Sequence, residues 1–177
     1  MVFRYPPNCQ PADGIIVCFP MERLPETRIE WTPDGDDQPT FNAVIIYEDG
    51  PTGRRAKLFC DKLVCELENE YAFSLDLWSF QILAIPEFRE SAADAAAKAD
   101  LVVLSLHGEA GLPARVREWI ENWSRQILDS GPPLIALVDN PAMRGSRNAS
   151  TLAYLRGVAK RIGVDFFGHT VFSLHKN

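Results

Sequence analysis

No stretch of this chain of 177 residues stays apolar for the roughly 20 residues that cross a bilayer. The opening Met1-Val-Phe-Arg-Tyr-Pro-Pro7 also lacks the apolar centre of a signal peptide. The expectation is no membrane partner and a cytoplasmic location. Excess positive charge is missing too: 18 Lys and Arg stand against 24 Asp and Glu, a formal net charge of -6. With no basic stripe to offset that balance, nucleic acid is not an expected partner. Cysteine is sparse. Cys9, Cys18, Cys60 and Cys65 form no Cys-x-x-Cys pair, and none stands beside a histidine at metal-ligand spacing. Cys60 and Cys65 fall about 140° apart on a helix, so they do not face one ion. All four read as small buried apolar residues, and no metal is expected. A Gly-x-Ser-x-Gly elbow is absent as well, which removes hydrolase chemistry of that kind.

What is present fits one domain with a full core. Residues 1–40 carry Pro6, Pro7, Pro11, Pro20, Pro25, Pro33 and Pro39, with Asp-Gly at 13 and 34, and read as an irregular proline-rich arm. Within it, Gly14-Ile-Ile-Val-Cys-Phe-Pro20 reads as surface packing or an added edge strand. Its functional reading is a lid or a dimer arm, which makes a homodimer one expected assembly.

Residues 41–177 alternate strand and helix patterns, the signature of a parallel sheet with helices on both faces. The strands are Ala43–Tyr47, Tyr71–Leu77, Asp100–Ser105, Leu134–Val138 and the stretch from Val164 to Leu174. The first and third are almost wholly apolar, as strands buried on both faces are. Ala56, Phe59, Cys60, Leu63, Val64 and Leu67 stripe a helix over 53–68. The alanine-rich stretch Ser91–Ala99 reads as a short helix after a loop around Pro86. Pro113 opens a third helix with Val116, Trp119, Ile120, Trp123 and Ile127 on one face, stopped at Gly131-Pro-Pro. Leu152, Leu155, Val158, Ala159 and Ile162 mark a fourth, closed by Gly163. Right-handed crossovers then favour a three-layer αβα sandwich with a five-stranded parallel sheet of order 2-1-3-4-5.

In such a sheet a ligand lies beyond the carboxyl ends of the strands, at the point where the connections diverge. That selects the turns at 48–55, 106–112 and 139–149, each of which carries glycine. The first opens a helix, whose free N–H groups form an anion site that Thr52, Arg54 and Arg55 would complement. Glu48 and Asp49 oppose a phosphate there unless they turn away or cap the helix. His107 is the histidine placed at the rim; its plain reading is a solvated loop residue. Trp119 and Trp123, four apart, read as core or dimer surface.

The layout from Tyr71 to about Phe167 resembles the NAD(P)H-dependent FMN reductase family of flavodoxin-like proteins. The features that carry the likeness are Leu75-Asp-Leu-Trp78, Pro86, the run from Ala99 to Pro113, Glu118-Trp-Ile-Glu-Asn-Trp123, the run from Ile135 to Gly145, and the helix from Tyr154 to Gly163. The resemblance implies a flavodoxin-like fold and FMN as cofactor, with hydride transfer through the flavin. It would place the flavin phosphate on Thr52, Gly53, Arg54 and Arg55. The ring edge would meet His107, Gly108, Glu109 and Gly111, and Asn140 to Gly145 would close the other side. The family's Pro-Glu-Tyr-Asn-Gly turn is His107-Gly-Glu-Ala-Gly111 here, without the aromatic, and its serine-rich phosphate loop is replaced by acids and arginines.

Two other readings share the fold. One is a cofactor-free binding or interaction module using the arm and the tryptophan helix. The other is a degenerate receiver domain, suggested by Glu48-Asp49, but with Ser105 near the end of the third strand where an acceptor aspartate belongs and Val138-Asp139 ending the fourth. Each reading leaves a small-molecule ligand at the same rim.

Overall fold

The computed structural model describes residues 26–31, 39–67, 70–107, 111–127, 130–139 and 146–171. In chain order these form β1 (Glu26–Trp31), β2 (Thr40–Tyr47), α1 (Gly50–Leu67), β3 (Ala72–Ser79), a 3-10 turn (Ile82–Ala84), α2 (Pro86–Ala97), β4 (Leu101–Leu106), α3 (Ala114–Gln126), β5 (Leu134–Asp139), α4 (Ser146–Ile162) and β6 (Phe166–Val171). The sheet runs β1-β3-β2-β4-β5-β6. Its five parallel strands therefore have the expected order 2-1-3-4-5.

β1 is the addition. It pairs antiparallel with β3, from Glu26 against Trp78 to Trp31 against Phe73. An edge strand is one reading of 14–20, a segment that lies outside the described residues; the edge strand that is described comes later, at Glu26–Trp31. The proposed end of the last strand, residues 172–174, also lies outside the described residues.

Alternation along the strands splits the core in two. Ala43, Ile45, Tyr47, Leu75, Leu77, Leu101, Val103 and Leu137 pack with Ala56 and Cys60 of α1 on one face. Val44, Ile46, Trp78, Leu104, Leu106, Leu134 and Val138 pack with α2, α3 and α4 on the other. α2 is longer than its alanine run announces, because Pro86 sits in its first turn. A proline there gives up an N–H that has no intrahelical partner. The Trp119 and Trp123 rings stack at 5.8 Å and 5° with both side chains buried, so this pair belongs to the core. α4 ends as its sequence indicates: Gly163 takes φ 72° and Val164 N–H donates to Ala159 O at 3.0 Å.

Cys60 is buried, and burial pushes its thiol up to about 12. That places it far from thiolate chemistry. Cys65 departs from the expected burial and faces solvent, five residues round the helix from the packed position. Among the described residues no helix is long and apolar enough to cross a membrane.

Core and surface positions differ in what they tolerate. Leu104 is fully enclosed, whereas Leu58 on α1 is 63% exposed. Leu104→Ala is expected to cost about 2–5 kcal/mol in urea unfolding, and Leu58→Ala no more than about 0.5 kcal/mol.

Candidate functional site

The parallel strands end together, and the turns after β2, β4 and β5 meet there. Glu48 N–H donates to Ser105 O at 3.0 Å and Phe80 N–H to Tyr47 O at 2.7 Å, which fixes the end of β2 between its neighbours. The helix begins almost at once, at Gly50, and Asp49 serves as its cap. Asp49 Oδ1 accepts the Thr52 N–H at 3.0 Å, and Asp49 N–H donates to Thr52 Oγ1 at 2.8 Å. This reciprocal exchange has the geometry of a capping box, with the acid before the helix and the hydroxyl three residues in. The Thr52 hydroxyl oxygen lies 2.9 Å from both the carboxylate and the carbonyl of Asp49, its proton available to either, and Gly53 N–H donates to that carbonyl at 2.8 Å.

Arg55 points inward. Its side chain is 16% exposed and forms an ion pair with Asp139 Oδ1 through Nη1. Nη2 donates to Leu106 O at 3.0 Å, to Leu137 O at 2.9 Å and to Ser105 Oγ at 3.0 Å, and Nε reaches the same hydroxyl at 3.3 Å. The Ser105 hydroxyl donates to Thr52 O at 2.8 Å. Burial lowers the Arg55 guanidinium from its ordinary value, against the pull of Asp49 and Glu48, yet a guanidinium stays charged in proteins.

His107 closes the ring of contacts. Its backbone N–H donates to Glu48 Oε2 at 2.8 Å. Its Nδ1 lies 2.5 Å from Asp139 Oδ2 and its Nε2 2.8 Å from Asp49 Oδ2. A carboxylate only accepts, so each of these contacts needs a proton on the ring nitrogen, and both together need the doubly protonated ring. Burial works to raise the Asp49 carboxyl, but the Thr52 N–H, His107 and the Thr52 hydroxyl outweigh it and hold the group below its ordinary value.

Of the residues picked from sequence, Thr52, Gly53, Arg55 and His107 come together at this rim. Arg54 is exposed on the outer side of the helix start, near enough that a Cβ on Gly50 would lie 3.5 Å from its Nη1. Gly111 takes φ 73°, a conformation that favours glycine, just before α3. Gly108, Glu109, Asn140 and Gly145 lie outside the described residues. Sequence reasoning placed Asp139 at the start of a selected turn and weighed Ser105 only as a missing acceptor, and gave neither a binding role. The signal for both was available: a serine inside an apolar strand and an aspartate at a strand end each need a partner when buried.

No family model matches the sequence, and no curated protein matches it. Among solved structures, an oxidoreductase from Corynebacterium diphtheriae is similar over 78% of this chain and 82% of its own, at 15% identity and a TM-score of 0.56. A flavodoxin from Streptococcus pneumoniae TIGR4 is similar over 77% of this chain and 88% of its own, at 12% identity and a TM-score of 0.52. The fold is flavodoxin-like. Identities this low carry the architecture and not the chemistry.

The residues present do not fit the phosphate of FMN at the helix start. The Thr52 and Gly53 N–H groups are already given to Asp49, Arg55 is spent beneath the rim, and Glu48, Asp49 and Asp139 supply carboxylates where a phosphate would need donors. A receiver's acceptor carboxylate has no counterpart either, since Ser105 is fully buried and bonded to Arg55 and Thr52.

Two measurements test this geometry. Arg55→Ala is expected to cost about 3–5 kcal/mol in urea unfolding because it leaves Leu106 O and Leu137 O without their side-chain donor and Asp139 with His107 in place of two cationic partners, while Arg54→Ala stays within about 0.5 kcal/mol. For Asp49 the folded carboxyl titrates below its unfolded value, so its contribution is complete above about pH 4 and is lost as pH falls through the folded value. Stability followed from pH 6 to pH 2 should show a steeper acid loss in the wild type than in Asp49→Asn.

Proposed function

We propose that this chain is a flavodoxin-like binding module that meets a small ligand at the rim formed by the turns after β2, β4 and β5, without anchoring a flavin phosphate. The observation that carries the reading is the single cluster in which His107 touches both Asp49 and Asp139. It joins three separated turns at the crevice where open α/β sheets take their ligands. The half-exposed side chains of His107 and Asp49 are the groups a ligand would address there. Arg55 and Ser105 hold the rim from below, Ser105 fully buried and Arg55 mostly so.

A second reading, an FMN-dependent NAD(P)H reductase, is favoured by the likeness in fold to proteins described as an oxidoreductase and a flavodoxin. The carboxylates at the start of α1 count against it.

Titrating FMN into the purified protein and following flavin fluorescence separates the two. The binding-module reading expects colourless protein and no saturable quenching at micromolar FMN. Protein that purifies yellow, or a saturable response abolished in His107→Ala, would instead establish the flavoprotein.

A further inference from the structure

A helix start binds an anion when its N–H groups are free, a cation stands by and no carboxylate competes. In this chain the anion position at α1 is filled from within. One oxygen of Asp49 accepts the Thr52 N–H and the other faces His107 Nε2, the two kinds of donor that an external phosphate oxygen would use. Glu48 takes the next donor along, the His107 N–H. The one cation beneath, Arg55, is matched by Asp139. Three carboxylates therefore face His107 and Arg55 within this cluster, while Arg54 stands exposed outside it.

We infer that Asp49 is the specificity-determining residue of the rim, an internal anion that occupies the phosphate position, so that phosphate-bearing ligands are rejected and uncharged or cationic ones admitted. This rests on the reading that ligands are met at the rim. A ligand that carries a donor can take over Asp49 Oδ2 from His107, whereas an incoming phosphate must displace a carboxylate and then face Glu48 and Asp139. Arg54, exposed beside Gly50, supplies the cation that would serve an anion once Asp49 and Glu48 were neutral.

The test uses inorganic phosphate and the backbone amides of Thr52 and Gly53, followed by nitrogen-15 NMR on the full chain at constant ionic strength. The wild type is expected to show no saturable shift at these amides. The double variant Glu48→Gln with Asp49→Ser keeps a side chain able to cap the helix, and should bind phosphate at least about tenfold more tightly than the wild type, which amounts to about 1.4 kcal/mol. Should that variant fail to fold, Asp49→Asn keeps the shape, removes the charge and is expected to move in the same direction. A saturable response in the wild type, or none in a folded variant, overturns the inference. Comparing FMN with riboflavin, which differ by the phosphate, keeps the two readings apart. Equal binding of both by the wild type supports the inference and sinks the cofactor-free reading, while tighter FMN binding overturns both.

Discussion

Arg55 places a positive charge under the rim where water scarcely reaches, and the ends of β4 and β5 are arranged around keeping it satisfied. Its guanidinium takes two strand carbonyls, the Ser105 hydroxyl and the Asp139 carboxylate. Removing any one of these would leave a buried donor or an unpaired charge, both costly away from solvent. The constraint propagates outward. With one oxygen of Asp139 held by Arg55, the other is aimed at His107, and His107 in turn fixes Asp49 at the start of α1. A contact beneath the sheet end thus sets the positions of side chains on the solvent side of it.

The scaffold was legible because its signals are local and repeated. Continuous apolar strands, striped helices and the glycine after α4 each dictate their own element, and the handedness of crossovers leaves few ways to connect them. The misreadings have causes of their own. The loop around Pro86 is the first turn of α2, since proline breaks a helix only after its start. β1 was hidden in a proline-rich stretch and owes its state to the edge of β3, a partner 46 residues away in the register Ile29 to Leu75 that local pattern does not reveal. Cys65 shows the limit of reading burial from residue type alone: the turn of the helix, not the thiol's preference, puts it in water.

The site was legible only in place. Strand ends and glycine-bearing turns locate the rim, but the roles of its side chains depend on partners far along the chain. Arg55 looks like a phosphate ligand when read beside Thr52 and Arg54. It becomes a buried strut only when Leu106 and Leu137, 51 and 82 residues distant, are brought to it. Asp49 was readable as either a repelling charge or a cap. The deciding feature is Thr52, whose hydroxyl and N–H complete the cap three residues later.

Fold and chemistry therefore separate along a physical boundary in this molecule. The flavodoxin-like sheet is carried by apolar side chains that alternate between two faces, and many sequences satisfy that requirement, which is why likeness in architecture persists at 12–15% identity. The rim is carried by charges, where a single carboxylate reverses what can bind. Exchanging free donors at a helix start for an aspartate that consumes them leaves every strand in place and changes the sign of the field that a ligand meets. The same scaffold can then hold an anion in one protein and repel it in another, with the difference residing in Glu48, Asp49 and the histidine held between two acids.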